Sequence, residues 1–127
     1  MARTHDFAFD PRERLLRRIN KGDVNGVMSL KPSALKLQVS VSRTKHDDGP
    51  VTPNGDKNGL AEIMAGDAVA LSYGSVIIVC VDEPSHHDDR HAVMAMVAPP
   101  GAPVAPESLS ALRALLASKM RVVKAPT

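Results

Sequence analysis

Tryptophan is absent, tyrosine occurs once, at Tyr73, and the two phenylalanines, Phe7 and Phe9, both stand near the N-terminus. A chain of 127 residues with so few rings must fill its core with Val, Leu, Ile, Ala and Met. It also lacks the aromatic platforms on which proteins stack single-stranded bases. The one cysteine, Cys80, rules out an internal disulfide. It lies inside the apolar run Val76–Val81, which predicts a buried, inert thiol and fits a reducing, cytoplasmic setting. No apolar run approaches the roughly 20 residues of a membrane-spanning helix. The stretch from Met1 to Phe7 has no signal-peptide core, and Asp6, Asp10 and Glu13 run against a mitochondrial presequence.

Chemical motifs are equally sparse. There is no Gly-x-Ser-x-Gly elbow, no glycine-rich phosphate loop, no cysteine beside an activating histidine and no zinc-finger spacing. The sequence contains no internal repeat and no heptad run. No catalytic residue and no cofactor are assigned.

What is present is a polar segregation. The net charge is only +2, but residues 1 to 46 carry ten Lys/Arg against four Asp/Glu. Residues 47 to 91 reverse this, with two basic and nine acidic residues, and residues 92 to 127 return to four against one. Such separation suits an acidic partner, a nucleic acid or another copy of the chain.

The length fits a single domain over 1–127, with 1–9 as a flexible arm and 44–57 as an exposed loop rich in Asp, Gly, Pro and Asn. A helix is expected from Pro11 to Lys21: Asp10 can cap it, Glu13 completes an Asp-x-x-Glu box and Gly22 can stop it. On that helix Leu15, Leu16 and Ile19 share one side, while Arg14, Arg17, Arg18 and Lys21 share the other. Leu35, Leu37, Val39 and Val41 alternate with polar residues, as in a strand with one wet face. Asn58 to Met64 reads as a short helix ended by Gly66. Ala68–Ser72 and Ser75–Val81 read as a hairpin, with the second strand central to the sheet. A strand over His91–Ala98, a proline-rich connector over Pro99–Pro106, a helix from Pro106 to Lys119 and a short strand at Val122–Val123 complete the order. The fold class expected is α+β, an antiparallel sheet of four to five strands with an N-terminal and a C-terminal helix packed on one face.

Two sets of residues are candidate sites. Arg14, Arg17, Arg18 and Lys21 could meet a partner or phosphates as one basic helix face. The tripeptide His-Asp-Asp occurs at 46–48 and again at 87–89, so His46, Asp48, His87 and Asp89 form a candidate metal set, flanked by His86 and His91. The leading functional expectation is a non-enzymatic binding or assembly module, a homo-oligomer or adaptor with a protein partner and no small-molecule ligand. The alternative is a nucleic-acid-associated structural or accessory protein, viral for instance, using the basic helix. A third reading is a small metal-dependent enzyme built on the His-Asp-Asp loops.

Overall fold

The computed structural model describes residues 6–25, 29–32, 35, 37–44, 57–84 and 90–127. In chain order the elements are β1 (Arg14–Ile19), a 3-10 turn (Lys21–Asp23), β2 (Val24–Asn25), β3 (Ser29–Leu30), β4 (Gln38–Arg43), β5 (Gly59–Met64), α1 (Ala65–Val69), β6 (Ser72–Tyr73), β7 (Val76–Asp82), β8 (His91–Val97), α2 (Pro106–Lys119) and β9 (Arg121–Lys124). Seven strands form one antiparallel sheet, curled into a half-barrel, in the order β6-β7-β8-β4-β1-β5-β9. β2 and β3 form a separate two-stranded ribbon.

This corrects the expected architecture. The sheet has seven strands, not four or five, and there is no N-terminal helix: residues Arg14–Ile19 are a strand. The capping signals are used differently. Asp10 takes the Arg12 backbone N–H on its carboxylate at 2.8 Å and the Glu13 backbone N–H on its carbonyl at 2.9 Å, which closes a tight turn instead of opening a helix. β1 then pairs with β5 along its whole length and with β4 at Leu15↔Arg43 and Leu16↔Ser42. Both of its faces carry buried leucine: Leu15 and Ile19 on one, Leu16 on the other. That removes the clean alternation of a half-exposed strand and leaves a pattern a helix also satisfies.

Two further expectations shift. Gly59–Met64 is strand β5, and the short helix begins only after it, at Ala65. β7 is next to the edge strand β6, and the middle position belongs to β4. The chain turns from β6 into β7 through Gly74, whose φ of 60° favours glycine. Gly66 faces Pro11 so closely that a Cβ would meet it at 2.9 Å, which is how the first turn packs onto α1. The C-terminal helix runs over Pro106–Lys119, with Pro106 in its first turn.

Both helices pack on one face of the sheet. The core joins Leu15, Ile19, Val39, Val41, Ile63, Val76, Ile78 and Met94 from the strands to Ala65 and Ala68 of α1 and to Leu112 and Leu116 of α2. No helix among the described residues is long and apolar enough to cross a membrane.

Into this aliphatic core the fold inserts a charge. Arg43 is 0% exposed. Its Nε and Nη2 donate to the two carboxylate oxygens of Glu13 at 2.7 and 2.9 Å. Nη1 donates to Asp82 Oδ1 at 3.0 Å and to the Asp6 carbonyl at 2.7 Å, and Nη2 donates to the Ala8 carbonyl at 2.8 Å. The Phe9 ring lies over the guanidinium, 3.7 Å from carbon to centroid. The second oxygen of Asp82 takes the Asp6 backbone N–H at 2.6 Å. All five guanidinium N–H groups are thereby used. Burial alone would lower the pKa of Arg43, but the hydrogen bonds and charges of Glu13 and Asp82 outweigh it and hold it above the usual value.

Replacing Arg43 with methionine keeps the bulk and leaves two buried carboxylates without their cation. The expected loss is about 3–5 kcal/mol, measured as a lowered urea midpoint. Lys21→Ala, at an exposed turn position, should stay within about 0.5 kcal/mol of wild type. Equal midpoints for the two variants would contradict the role given to Arg43.

Candidate functional site: a cationic cleft between two strands

The ladder between β1 and β4 stops after Leu16↔Ser42, whereas β1 stays paired with β5 as far as Ile19↔Gly59. Beyond Leu16 the two strands part. The Arg17 guanidinium bridges the gap, with Nη1 donating to the Ser40 carbonyl at 3.0 Å. A side chain thus occupies a backbone acceptor on β4 beyond the end of the ladder. Burial lowers the pKa of Arg17, and the charge of Asp23 partly offsets this.

The parting opens a cleft of about 160 Å³ lined by Leu16, Arg17, Arg18, Ser40, Val41, Ser42, Lys57 and His91. Four separate segments supply it: β1 gives the two arginines, β4 the two serines, the residue pair before β5 gives Lys57, and the first residue of β8 gives His91. Its described lining contains no carboxylate. Register explains part of the convergence. Leu16 lies opposite Ser42, and Ser42 lies opposite His91, so the three form one row across β1, β4 and β8.

His91 is oriented from behind. Its Nδ1 lies 2.9 Å from the Glu83 carbonyl oxygen, which can only accept, so Nδ1 carries the hydrogen. The Glu83 carboxylate stands 3.7 Å from the same nitrogen. In the neutral ring Nε2 is then the acceptor, and on protonation it becomes a second donor.

The four basic residues expected to share a helix face are divided by the strand. Arg17 and Arg18 reach the cleft. Arg14 instead pairs with Glu62 at 3.2 Å, and Arg121 of β9 pairs with the same carboxylate. These three border a second hollow of about 250 Å³, together with Asp67 and Lys119. Two carboxylates there stand among three cations, and Glu62 pairs with two of them. Lys21 sits in the exposed 3-10 turn after β1. The candidate metal residues His46, Asp48, His87 and Asp89 lie outside the described residues. Among the described residues no group of three or more His, Cys, Asp or Glu is placed to hold a metal ion.

Ser40, Ser42, Lys57 and His91 were not assigned to this site from the sequence. The serines are legible as the wet face of an alternating strand. Lys57 and His91 adjoin the polar segments 45–56 and 85–89, and nothing local shows that these ends meet.

Cys80 takes no part in the cleft. It is half-buried on β7, and its side chain packs against the core on the helix-covered face. Burial, helped by the charge of Glu13 and opposed by that of Arg43, pushes its thiol from 9.0 up to about 11. At neutral pH it is a protonated thiol.

Comparison with known protein families, with characterised proteins and with solved structures finds no match.

The Cys80 environment gives a direct test of this packing. With disulfide reagent at pH 8 the folded protein should react at least about tenfold more slowly than the unfolded chain, and its rate should keep rising beyond pH 9. The folded chain should also lose stability as pH climbs from 9 towards 11, because the unfolded thiol ionises first. Equal labelling rates for folded and unfolded protein would place Cys80 in open solvent.

Proposed function

We propose that this protein is a non-enzymatic binding module whose site is the cleft between β1 and β4, and whose ligand presents an anionic group there. The observation that carries this reading is the composition of the cleft: Arg17, Arg18, Lys57, His91 and two serine hydroxyls around about 160 Å³, with no carboxylate among the described lining residues. An oxyanion in the cleft would accept charge-assisted hydrogen bonds from these groups. The volume suits a single phosphate, sulfate or carboxylate group. The exposed Ser40 hydroxyl can donate to an oxygen that the cations do not reach.

This replaces a basic helix face by a shaped cleft, and it changes what is tested. Nucleic-acid association through phosphates is the same cleft with a polymeric ligand. A partner protein, or a second copy, would present an acidic side chain to it.

Titration with inorganic phosphate at pH 7, followed by calorimetry and thermal melting, is the first test. Phosphate should bind and raise the melting temperature more than chloride at equal ionic strength. Arg18→Glu with Lys57→Glu should weaken phosphate binding by about tenfold or more, the share expected of charge-assisted hydrogen bonds worth about 1.5–3 kcal/mol each. Arg14→Ala, whose cation already pairs with Glu62, should leave phosphate binding unchanged. For a duplex oligonucleotide, log affinity should fall with log salt at a slope of about −2 to −4 if two to four cations meet phosphates. Phosphate that stabilises no better than chloride would overturn the proposal.

A further inference from the structure

β7 is longer than the strand that borders it. Ser72 and Tyr73 of β6 pair only with Ile77 and Val76, and the chain before them turns away, the Leu71 N–H donating to the Ala68 carbonyl at 3.1 Å. From Ile78 to Asp82, β7 has a neighbouring strand on one side, β8. Parity shows which backbone groups this leaves over. Tyr73 and Val76 close the hairpin, so the N–H and C=O of Val76 face β6. At the far end the Glu83 N–H donates to the His91 carbonyl at 3.0 Å, so the odd-numbered residues face β8. The N–H and C=O of Ile78 and Cys80 therefore point to the open side, and among the described residues they meet no partner there. The segment itself carries no guard. Ile78-Val79-Cys80-Val81 has neither charge nor proline, whereas the opposite edge, β9, carries exposed Arg121 and Lys124. Val81 is 41% exposed on the face away from the helices, with Val79 half-buried beside it.

We infer that this edge binds β7 of a second copy of the chain, antiparallel about a twofold axis. Register selects the occupant. Bonded groups must both point outward, so even-numbered residues oppose even-numbered ones. β6 already fills the space beside Val76 and Ile77. With Cys80 opposite Cys80 of the second copy, the whole open edge is used: Asp82, where β7 ends, falls opposite Ile78, and the partner strand stops where β6 begins. In that register Val79 lies across from Val81 of the second copy on both sides of the axis, and cross-strand pairs of β-branched residues stabilise a sheet. The strand is thus complementary to itself. A peptide from another protein would need pockets for its alternate side chains, and the outer side of this edge offers only valines. The paired segment is five residues, about 17 Å of strand, which falls short of the roughly 800 Å² per partner of a standard interface. The dimer is therefore weak and concentration-dependent. β8 and β4 stand between this edge and the parting of β4 from β1, so pairing leaves the cleft open.

Sedimentation equilibrium of the full chain from about 5 μM to about 500 μM tests this, and a monomer–dimer equilibrium is expected. Amide hydrogen exchange over the same range reads the register. The Cys80 amide should gain at least about tenfold protection at the high concentration, while the Val79 and Val81 amides, which face β8, stay protected throughout. Val81→Lys, at an exposed position, should keep the melting temperature and abolish the dimer, whereas Val123→Lys on β9 should leave the dimer intact. Mixing Val81→Lys with Val79→Glu should restore a heterodimer, because the lysine of one copy then meets the glutamate of the other. If Val81→Lys fails to fold, the Cys80 exchange in the wild type decides alone. A chain that stays monomeric at about 500 μM, with a Cys80 amide that exchanges equally fast at both concentrations, would overturn the inference and leave the edge to a strand of another protein. A dimer that leaves the Cys80 amide unprotected, or that survives Val81→Lys, would also overturn it, because the contact would lie elsewhere.

Discussion

A guanidinium buried among aliphatic side chains is costly unless every donor is met, and the fold is arranged so that each is. Arg43 stands at the end of the middle strand. Its partners come from the turn before β1, from the end of β7 and from the N-terminal segment at Asp6 and Ala8. One side chain therefore ties together three regions that no backbone ladder joins. Once Glu13 and Asp82 are in place, removing the cation leaves two buried carboxylates unmatched, so the cluster holds as a unit or not at all. Its effect is to specify one arrangement of the strands as much as to stabilise it.

That arrangement has a consequence one residue further on. Because Arg43 fixes β4 against Leu15, the β1–β4 ladder is secure at that end and free to part at the other. The parting exposes Ser40 and Ser42 to Arg17 and Arg18 and admits Lys57 and His91 from either side. Arg14 of the same strand has different surroundings: it pairs with Glu62, which Arg121 shares. The two hollows thus differ in their described lining, one with carboxylates and one without.

How much of this was legible in the sequence depends on how local each signal is. β7, β8 and α2 were readable: two unbroken apolar runs, and a leucine stripe at 3.6-residue spacing behind a proline. β1 was not. It carries buried leucines on both faces, and Asp10 and Glu13 imitate a helix cap while serving a turn and a buried ion pair. Arg43 closes an alternating strand, and its partners Glu13 and Asp82 are 30 and 39 residues away, so no local pattern marks it. Arg17 and Arg18 stand out for their charge, and a helix groups them with Arg14 and Lys21. A strand's period of two instead puts Arg14 and Arg18 on one face and Arg17 on the other, and only the register with β4 and β8 brings Ser42 and His91 into the same row as Leu16.

We propose that a rigid, Arg43-pinned sheet presents an anion cleft between β1 and β4. Nitrogen-15 NMR of both backbone and arginine side chains during a phosphate titration is the test. Shifts are expected at the Arg17 and Arg18 side chains and at the amides of Ser40, Ser42, Lys57 and His91. The Arg43 Nε–H signal should stay unmoved and protected from exchange throughout. Shifts centred on Arg14, Lys119 and Arg121, or an Arg43 Nε–H that exchanges as fast as an exposed arginine's, would contradict it.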